Sequence, residues 1–166
     1  MTEPRTRTVT WSDPKATAAL ARERDGLDFL RAVAAGEVPP PPVAELLGAR
    51  IVSVEKGEVV FELDPAEFHY NPIGSVHGGV YATLLDSAAG CAVHSLLEAG
   101  TGYVSLDLAV RFLRPIRTDT GTVTCTGTVA HQGRRTVLAE ARMTDGDGRL
   151  LATASSTCLI QSKARG

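Results

Sequence analysis

The sequence predicts an α+β domain in which one antiparallel sheet wraps around a long central helix. Three observations carry this. Apolar residues at Val80, Leu84, Leu85, Ala88, Ala89, Ala92, Val93, Leu96 and Leu97 recur at helical spacing in mid-chain. Strand-like segments flank that stretch on both sides. A single sheet must bury one face, and this helix is the only large apolar partner the chain offers. At 166 residues with 43% hydrophobic content, the chain is long enough for one domain with its own core.

In chain order, residues 1–12 are polar. Asp13-Pro14 reads as an N-cap followed by proline at the first helical position. A helix over 14–35 follows, striped by Leu20, Leu27, Leu30 and Val33, weakened at Gly26 and ended by Gly36. Pro39 to Pro42 form a stiff spacer before a short turn from Val43 to Leu47, stopped by Gly48. Residues 1–42 thus read as a helical arm on a domain of residues 43–166. The arm carries no recognisable chemistry of its own, and it packs on the core or on a partner subunit.

Two strands over 49–56 and 58–64, joined at Lys56-Gly57, suit a hairpin. A polar loop leads into the long helix, which starts at a His-Gly-Gly turn and has Gly100 as its stop. Four strands are expected afterwards. Tyr103 to Leu113 alternates, with Val104, Leu106, Leu108, Val110 and Phe112 on one face. Residues 120–131 are rich in threonine and valine, and Gly133-Arg134-Arg135 makes a turn into the strand Thr136 to Thr144. Asp145-Gly146-Asp147-Gly148 is a hairpin turn before the last strand, Leu150 to Ile160.

Composition excludes several functions. A net charge of −2 gives no nucleic-acid signature. No apolar run reaches membrane-spanning length and the start does not read as a signal peptide, so a cytoplasmic protein is expected. Cys91, Cys125 and Cys158 lie in apolar elements without C-x-x-C spacing, which suits buried reduced thiols rather than zinc. His69, His77, His94 and His131 lack metal-ligand spacing, so no metal is expected. There is no nucleophile elbow, P-loop or dinucleotide fingerprint.

What remains is the helix. Asp86 is its only charged residue between Gly79 and His94. A lone carboxylate there is either on a solvated edge or a catalytic acid or base, because burying an unpaired charge is costly. The helix start directs free N–H groups and partial positive charge outward, and Gly78 and Gly79 admit a ligand close to the backbone. Such an end can stabilise an oxyanion. Eight residues separate Gly78 from Asp86, about 12 Å along a helix. If both are catalytic, one site must combine the helix start of one subunit with the aspartate of another, as a two-fold dimer does twice.

The pattern N-x5-H-G-G-x4-L-x-D at Asn71, His77-Gly78-Gly79, Leu84 and Asp86 resembles the hotdog-fold acyl-CoA thioesterases, most closely the phenylacetate-pathway (PaaI-like) subgroup. Val104 to Asp107, Arg114-Pro115 and Gly133 to Arg135 fit the same pattern, and the likeness spans residues 43–160. The resemblance implies a curved antiparallel sheet around the helix, in homodimers or homotetramers that share active sites between subunits. It implies hydrolysis of an acyl-CoA to a free acid and CoA, without metal or cofactor, coenzyme A being part of the substrate. By position, Asp86 would be general base or nucleophile. The N–H groups of Gly78 and Gly79 would hold the thioester oxygen. Asn71 would place water or the thioester, His77 would orient the turn, and Ser105 would assist across the cleft.

For the CoA phosphates, Arg134 and Arg135 at the Gly133 turn and Arg114 or Arg117 are the candidates, with a solvated surface as their alternative. Tyr81, Ala82, Leu85 and Ala89 are expected to line the acyl pocket, with room for an aromatic or medium-length group. Two rival functions stand beside this one. A hotdog enoyl-CoA hydratase would pair an aspartate with a histidine five residues on, but Cys91 stands there. A non-catalytic acyl-CoA sensor or scaffold would need no buried carboxylate.

Overall fold

The computed structural model describes residues 3–161. The N-terminal arm holds α1 (Pro14–Glu23) and α2 (Gly26–Ala34), and α3 (Pro42–Leu47) follows it at the start of the main domain. Asp13 caps α1 by accepting from the Lys15 N–H at 2.9 Å, and Gly48 ends α3 in the left-handed region at φ 76°. The single helix expected over 14–35 is instead two. Arg24 is extended, and Asp25 turns away to accept from the Ala99 N–H at 2.9 Å. Gly26 then donates its N–H to the Leu97 carbonyl at 2.9 Å. The glycine is where the arm touches the far end of the central helix, and a side chain there would collide with His94.

β1 (Ala49–Glu55) and β2 (Glu58–Leu63) form the expected hairpin, turning at Gly57 with φ 83°. After a 3-10 turn at Glu67–His69 comes the central helix α4 (Gly78–His94). It stops earlier than its apolar pattern suggests. The Ser95 hydroxyl donates to the Ala92 carbonyl at 2.7 Å and accepts from the Gly57 N–H at 2.8 Å, which ties the helix end to the β1–β2 turn. Gly100, at φ 82°, lies in the following turn rather than at the helix stop.

Five strands follow, not four: β3 (Gly102–Ser105), β4 (Ala109–Phe112), β5 (Val123–Gln132), β6 (Thr136–Thr144) and β7 (Leu150–Gln161). The strand expected over 103–113 is divided because Asp107 leaves the ladder. Its carboxylate accepts from the Thr157 N–H at 3.1 Å, and its carbonyl accepts from the Ser156 hydroxyl at 2.8 Å. Residues 118–120 form a 3-10 turn rather than the start of β5. All pairings are antiparallel, in the order β1-β2-β5-β6-β7-β3, with β4 also on β7.

The sheet curves around α4. Tyr81, Leu85, Ala88, Ala89 and Ala92 of the helix are buried. The registered row Val59, Gly127, Ala141 and Ala154 crosses four strands, and all four residues are buried. Small side chains in the middle of that row let the helix backbone approach the sheet closely. The arm joins the same core: Phe29, Leu30, Ala32 and Val38 belong to the cluster that contains the sheet and α4. Among the described residues no helix is long and apolar enough to cross a membrane.

A Cβ at Gly127 would run into the Ala88 carbonyl. Both atoms that meet are attached to backbone, so neither can rotate away. Gly127→Ala should therefore destabilise the protein by about 2–3 kcal/mol, read as a lower urea midpoint at unchanged m-value. A midpoint equal to that of the parent protein would show that the helix does not rest on this glycine.

Candidate functional site

The start of α4 is built by its cap. His77 is extended (φ −63°, ψ 139°), and its Nδ1 accepts from the Gly79 N–H at 2.9 Å. That contact orients the turn, but it also commits the Gly79 N–H. Gly79 is thus removed from the expected oxyanion pair, and its part is to fit under the imidazole, where a Cβ would lie 3.0 Å from Nδ1. The Gly78 N–H has no protein acceptor among the described residues. Phe112 covers it so closely that a Cβ on Gly78 would lie 3.2 Å from the ring.

Asn71 folds its own loop. Its Oδ1 accepts from the N–H groups of Ile73 (3.0 Å) and Ser75 (3.2 Å), and its Nδ2 donates to Ser75 Oγ at 3.1 Å. One amide hydrogen is left over. Asn71, Gly78, Phe112 and Arg114 line one shallow recess. Tyr81 supports this recess from beneath: its hydroxyl donates to the Arg114 carbonyl at 3.0 Å and its ring meets Phe112 edge-on at 5.5 Å.

Asp86 lies two turns further along α4. It is half-buried and has no ion-pair partner among the described residues. Ser105 of β3, in the same protomer, donates its hydroxyl to Asp86 Oδ1 at 3.2 Å. Asp86 also lines a mostly apolar cavity of about 460 Å³. The two parts lie at opposite ends of the edge strands. Phe112, over Gly78, pairs with Ala152, whereas Ser105 pairs with Cys158. Six residues of β7 separate those positions, about 20 Å at strand spacing.

The arginines divide in the same way. Arg114 lies near the β6–β7 turn, where its Nη1 donates to the Leu150 carbonyl at 2.5 Å, and the exposed Arg117 follows it. Arg134 and Arg135 are exposed at the β5–β6 turn, which Gly133 tightens by donating its N–H to the Thr136 carbonyl at 2.9 Å. A single protomer therefore does not gather all four around one ligand.

The residues expected at the acyl pocket divide, for Tyr81 lines the recess at Gly78 while none of the four lines the cavity that Asp86 lines. Tyr81, Leu85 and Ala89 are buried in the core, and neither they nor the half-buried Ala82 line the cavity beside Asp86. That cavity is lined by the opposite face of α4, at Thr83, Ser87, Cys91 and His94, faced by Phe29, Leu30, Val33, Pro40 and Pro41 of the arm and by Val43 and Leu47 of α3. Sequence reasoning passed over that face because its residues are small or polar. Their spacing of four, four and three is nonetheless that of one helical stripe. Tyr103 was missed as well; it lines the cavity and meets His94 edge-on at 6.0 Å. Burial pushes the Cys91 thiol up to about 12, which suits an inert packing residue rather than a nucleophile. Among the described residues no three His, Cys, Asp or Glu side chains are grouped to hold a metal ion.

Comparison with known proteins identifies the family and the fold. The thioesterase superfamily model matches residues 73–152, a span that holds the α4 start, Asp86 and Ser105. The 1,4-dihydroxy-2-naphthoyl-CoA hydrolase of Listeria monocytogenes is 31% identical over 121 residues, covering 73% of this chain and 97% of the relative. The chain belongs to the thioesterase superfamily. Among solved structures, the Escherichia coli PaaI protein of the phenylacetic acid degradation operon aligns with TM-score 0.72 at 26% identity. That alignment covers 84% of this chain and 96% of PaaI. The smu.793 protein of Streptococcus mutans, solved bound to acetyl CoA, aligns with TM-score 0.62 at 28% identity, covering 68% of this chain and 88% of that one. The fold of this thioesterase is the expected hotdog arrangement.

Two histidines frame the site without titrating usefully. Burial holds His94, stacked on Phe29 at 5.8 Å, below the usual histidine range. His69 is also held low, first by burial. Its Nδ1 accepts from the Ala66 N–H at 3.0 Å and its Nε2 bonds the Leu47 carbonyl at 2.8 Å, which satisfies the neutral ring. Both groups prefer to be neutral when folded, so the unfolded chain takes up their protons first. Their contribution is intact above the unfolded value of about 6.5 and is lost as pH falls below it. The Tm should therefore drop between pH 7 and pH 5, and His69→Asn should flatten that drop. A Tm constant over this range would contradict the assignment.

Proposed function

We propose that this thioesterase hydrolyses an acyl-CoA to a carboxylic acid and CoA, with Asp86 as general base or nucleophile and the Gly78 N–H as oxyanion donor. The observation that carries the reading is Asp86 itself: a carboxylate without a counter-ion among the described residues, held by Ser105 Oγ, at the wall of an apolar cavity. In the general-base course, Asp86 takes a proton from water, whose oxygen attacks the thioester carbon. The developing oxyanion is held at Gly78, where the helix dipole adds to the N–H donor. Collapse of the tetrahedral species breaks the C–S bond, and thiolate leaves readily. In the nucleophilic course the carboxylate attacks first and water then cleaves the anhydride.

About 12 Å of helix separates Gly78 from Asp86 within a chain, so the proposed site takes Gly78, Asn71 and Phe112 from one subunit and Asp86 and Ser105 from another. The edge strands support such an assembly. Leu106 is 56% exposed, Phe112 57% and Leu113 50%, an apolar edge that a second copy would cover. In that arrangement Arg134 and Arg135 beside one subunit's Asp86, and Arg114 and Arg117 beside the other's Gly78, supply cations for one CoA. The Listeria hydrolase name and the acetyl CoA-bound Streptococcus structure support a CoA thioester as substrate.

The test is release of free CoA thiol from aromatic, short and medium acyl-CoAs. Asp86→Asn should lower kcat by about 10²–10⁴-fold, while Kd for a non-hydrolysable thioether analogue stays within a small factor. Near-normal turnover by Asp86→Asn would remove the carboxylate from the mechanism. Tight binding without turnover of any thioester would turn the reading to a sensor. Label from solvent oxygen entering the protein in a single turnover would assign Asp86 as nucleophile.

A further inference from the structure

Resting on the acyl-CoA reading, we propose that the N-terminal arm is the specificity-determining wall of the acyl site, and that the cavity it closes takes a bulky, mainly apolar acyl group. The superfamily model matches residues 73–152, whereas the PaaI alignment covers 84% of this chain and so reaches into the arm. Its helix α2 supplies Phe29, Leu30 and Val33 and its spacer Pro40 and Pro41, while α3, just after the arm, adds Val43 and Leu47. These face the Thr83-to-His94 stripe of α4, which spans eleven residues and about 16 Å.

The occupant follows from what the cavity touches. Asp86 lies in its wall, so an acyl group whose carbonyl carbon sits at Asp86 has this space open to its remaining atoms. About 460 Å³ is the size of a small-ligand pocket and far exceeds what an acetyl group needs. At the His94 end, Phe29 lies against the imidazole at 5.8 Å and Tyr103 meets it edge-on at 6.0 Å, a flat-sided stack suited to rings or extended chains. The arm is held in place by backbone contacts at its Gly26 end and along α2. Arg31 Nε donates to the Val54 carbonyl at 3.2 Å, and Gly26 and Asp25 bond the chain just after α4. The wall is therefore fixed by the fold, and its side chains set the depth of the pocket.

Deleting the arm would strip Phe29, Leu30 and Val38 from the core, so point substitutions are the proper probe. Val33 is only half-buried, and it can change size without emptying the core. Calorimetric Kd values for thioether analogues of acetyl-, decanoyl- and phenylacetyl-CoA would be measured on the full-length protein. Val33→Phe should move the decanoyl-to-acetyl Kd ratio toward acetyl by about tenfold, and Val33→Ala should move it the other way. Val52→Phe, on an exposed β1 residue away from the cavity, is the control and should leave the ratio unchanged.

A ratio unmoved in both Val33 variants, or moved equally by Val52→Phe, would overturn the proposal. So would a parent protein that binds all three analogues alike. Binding is read without turnover, so the two readings fail separately. Discrimination that shifts while hydrolysis is absent would sink only the catalytic assignment. Hydrolysis lost with Asp86→Asn, while Val33 changes leave discrimination untouched, would sink only the arm.

Discussion

Helix α4 lies against the sheet where Gly127, Ala141 and Ala154 leave no side chain large enough to hold it off. The helix answers with Ala88, Ala89 and Ala92, each fully buried. Small residues on both sides bring backbone to backbone, and close packing of this kind tolerates neither an added methyl nor a tilt of the helix. Everything functional hangs from that contact. It fixes where the α4 start meets Phe112, where Asp86 meets Ser105, and which face of the helix is left for the arm.

The same contact explains why the two parts of the candidate site lie apart within one protomer. A rigid helix carries its N–H donor and its carboxylate about 12 Å apart, and no side-chain rotation closes that gap. The edge strands repeat the separation, with Phe112 and Ser105 at opposite ends of β7's pairing. Two-fold pairing of antiparallel helices would bring unlike halves together twice, and the exposed apolar edge at Leu106, Phe112 and Leu113 is where such pairing would form. The arm then covers the one face of α4 that neither the sheet nor this edge takes.

Much of this was legible in the sequence, and the failures have identifiable causes. The strands β6 and β7, the Asp145-to-Gly148 turn between them and the Asp13-Pro14 cap are local signals, and each was read correctly. The break at Arg24 and Asp25 was not, because its cause is tertiary: Gly26 and Asp25 bond residues that lie more than seventy positions away. Ser95 ended α4 early through a hydroxyl shared with Gly57, again a partner invisible to periodicity. Asp86 stood out as a lone charge, and the long gap to Gly78 was legible from helical rise alone. The cavity beside Asp86 was not foreseen, for the opposite reason. Apolar residues drew attention to the core face at Tyr81, Leu85 and Ala89, while the cavity-lining face at Thr83, Ser87 and Cys91 looked bland. Gly79 shows the limit of motif transfer: its N–H is a donor by sequence, but His77 already holds it.

The most direct measurement is subunit complementation. Asp86→Asn removes the carboxylate half, and Gly78→Pro removes the oxyanion N–H at a helix position that tolerates proline. Each variant alone should be nearly inactive toward an acyl-CoA that the parent protein hydrolyses. Unfolded together in equal amounts and refolded, they should recover about a quarter of parental activity, because half of random two-fold dimers are mixed and each mixed dimer carries one intact site. No recovery above the separate variants, with mixed dimers present by mass spectrometry, would contradict a site built from the helix start of one subunit and the aspartate of another.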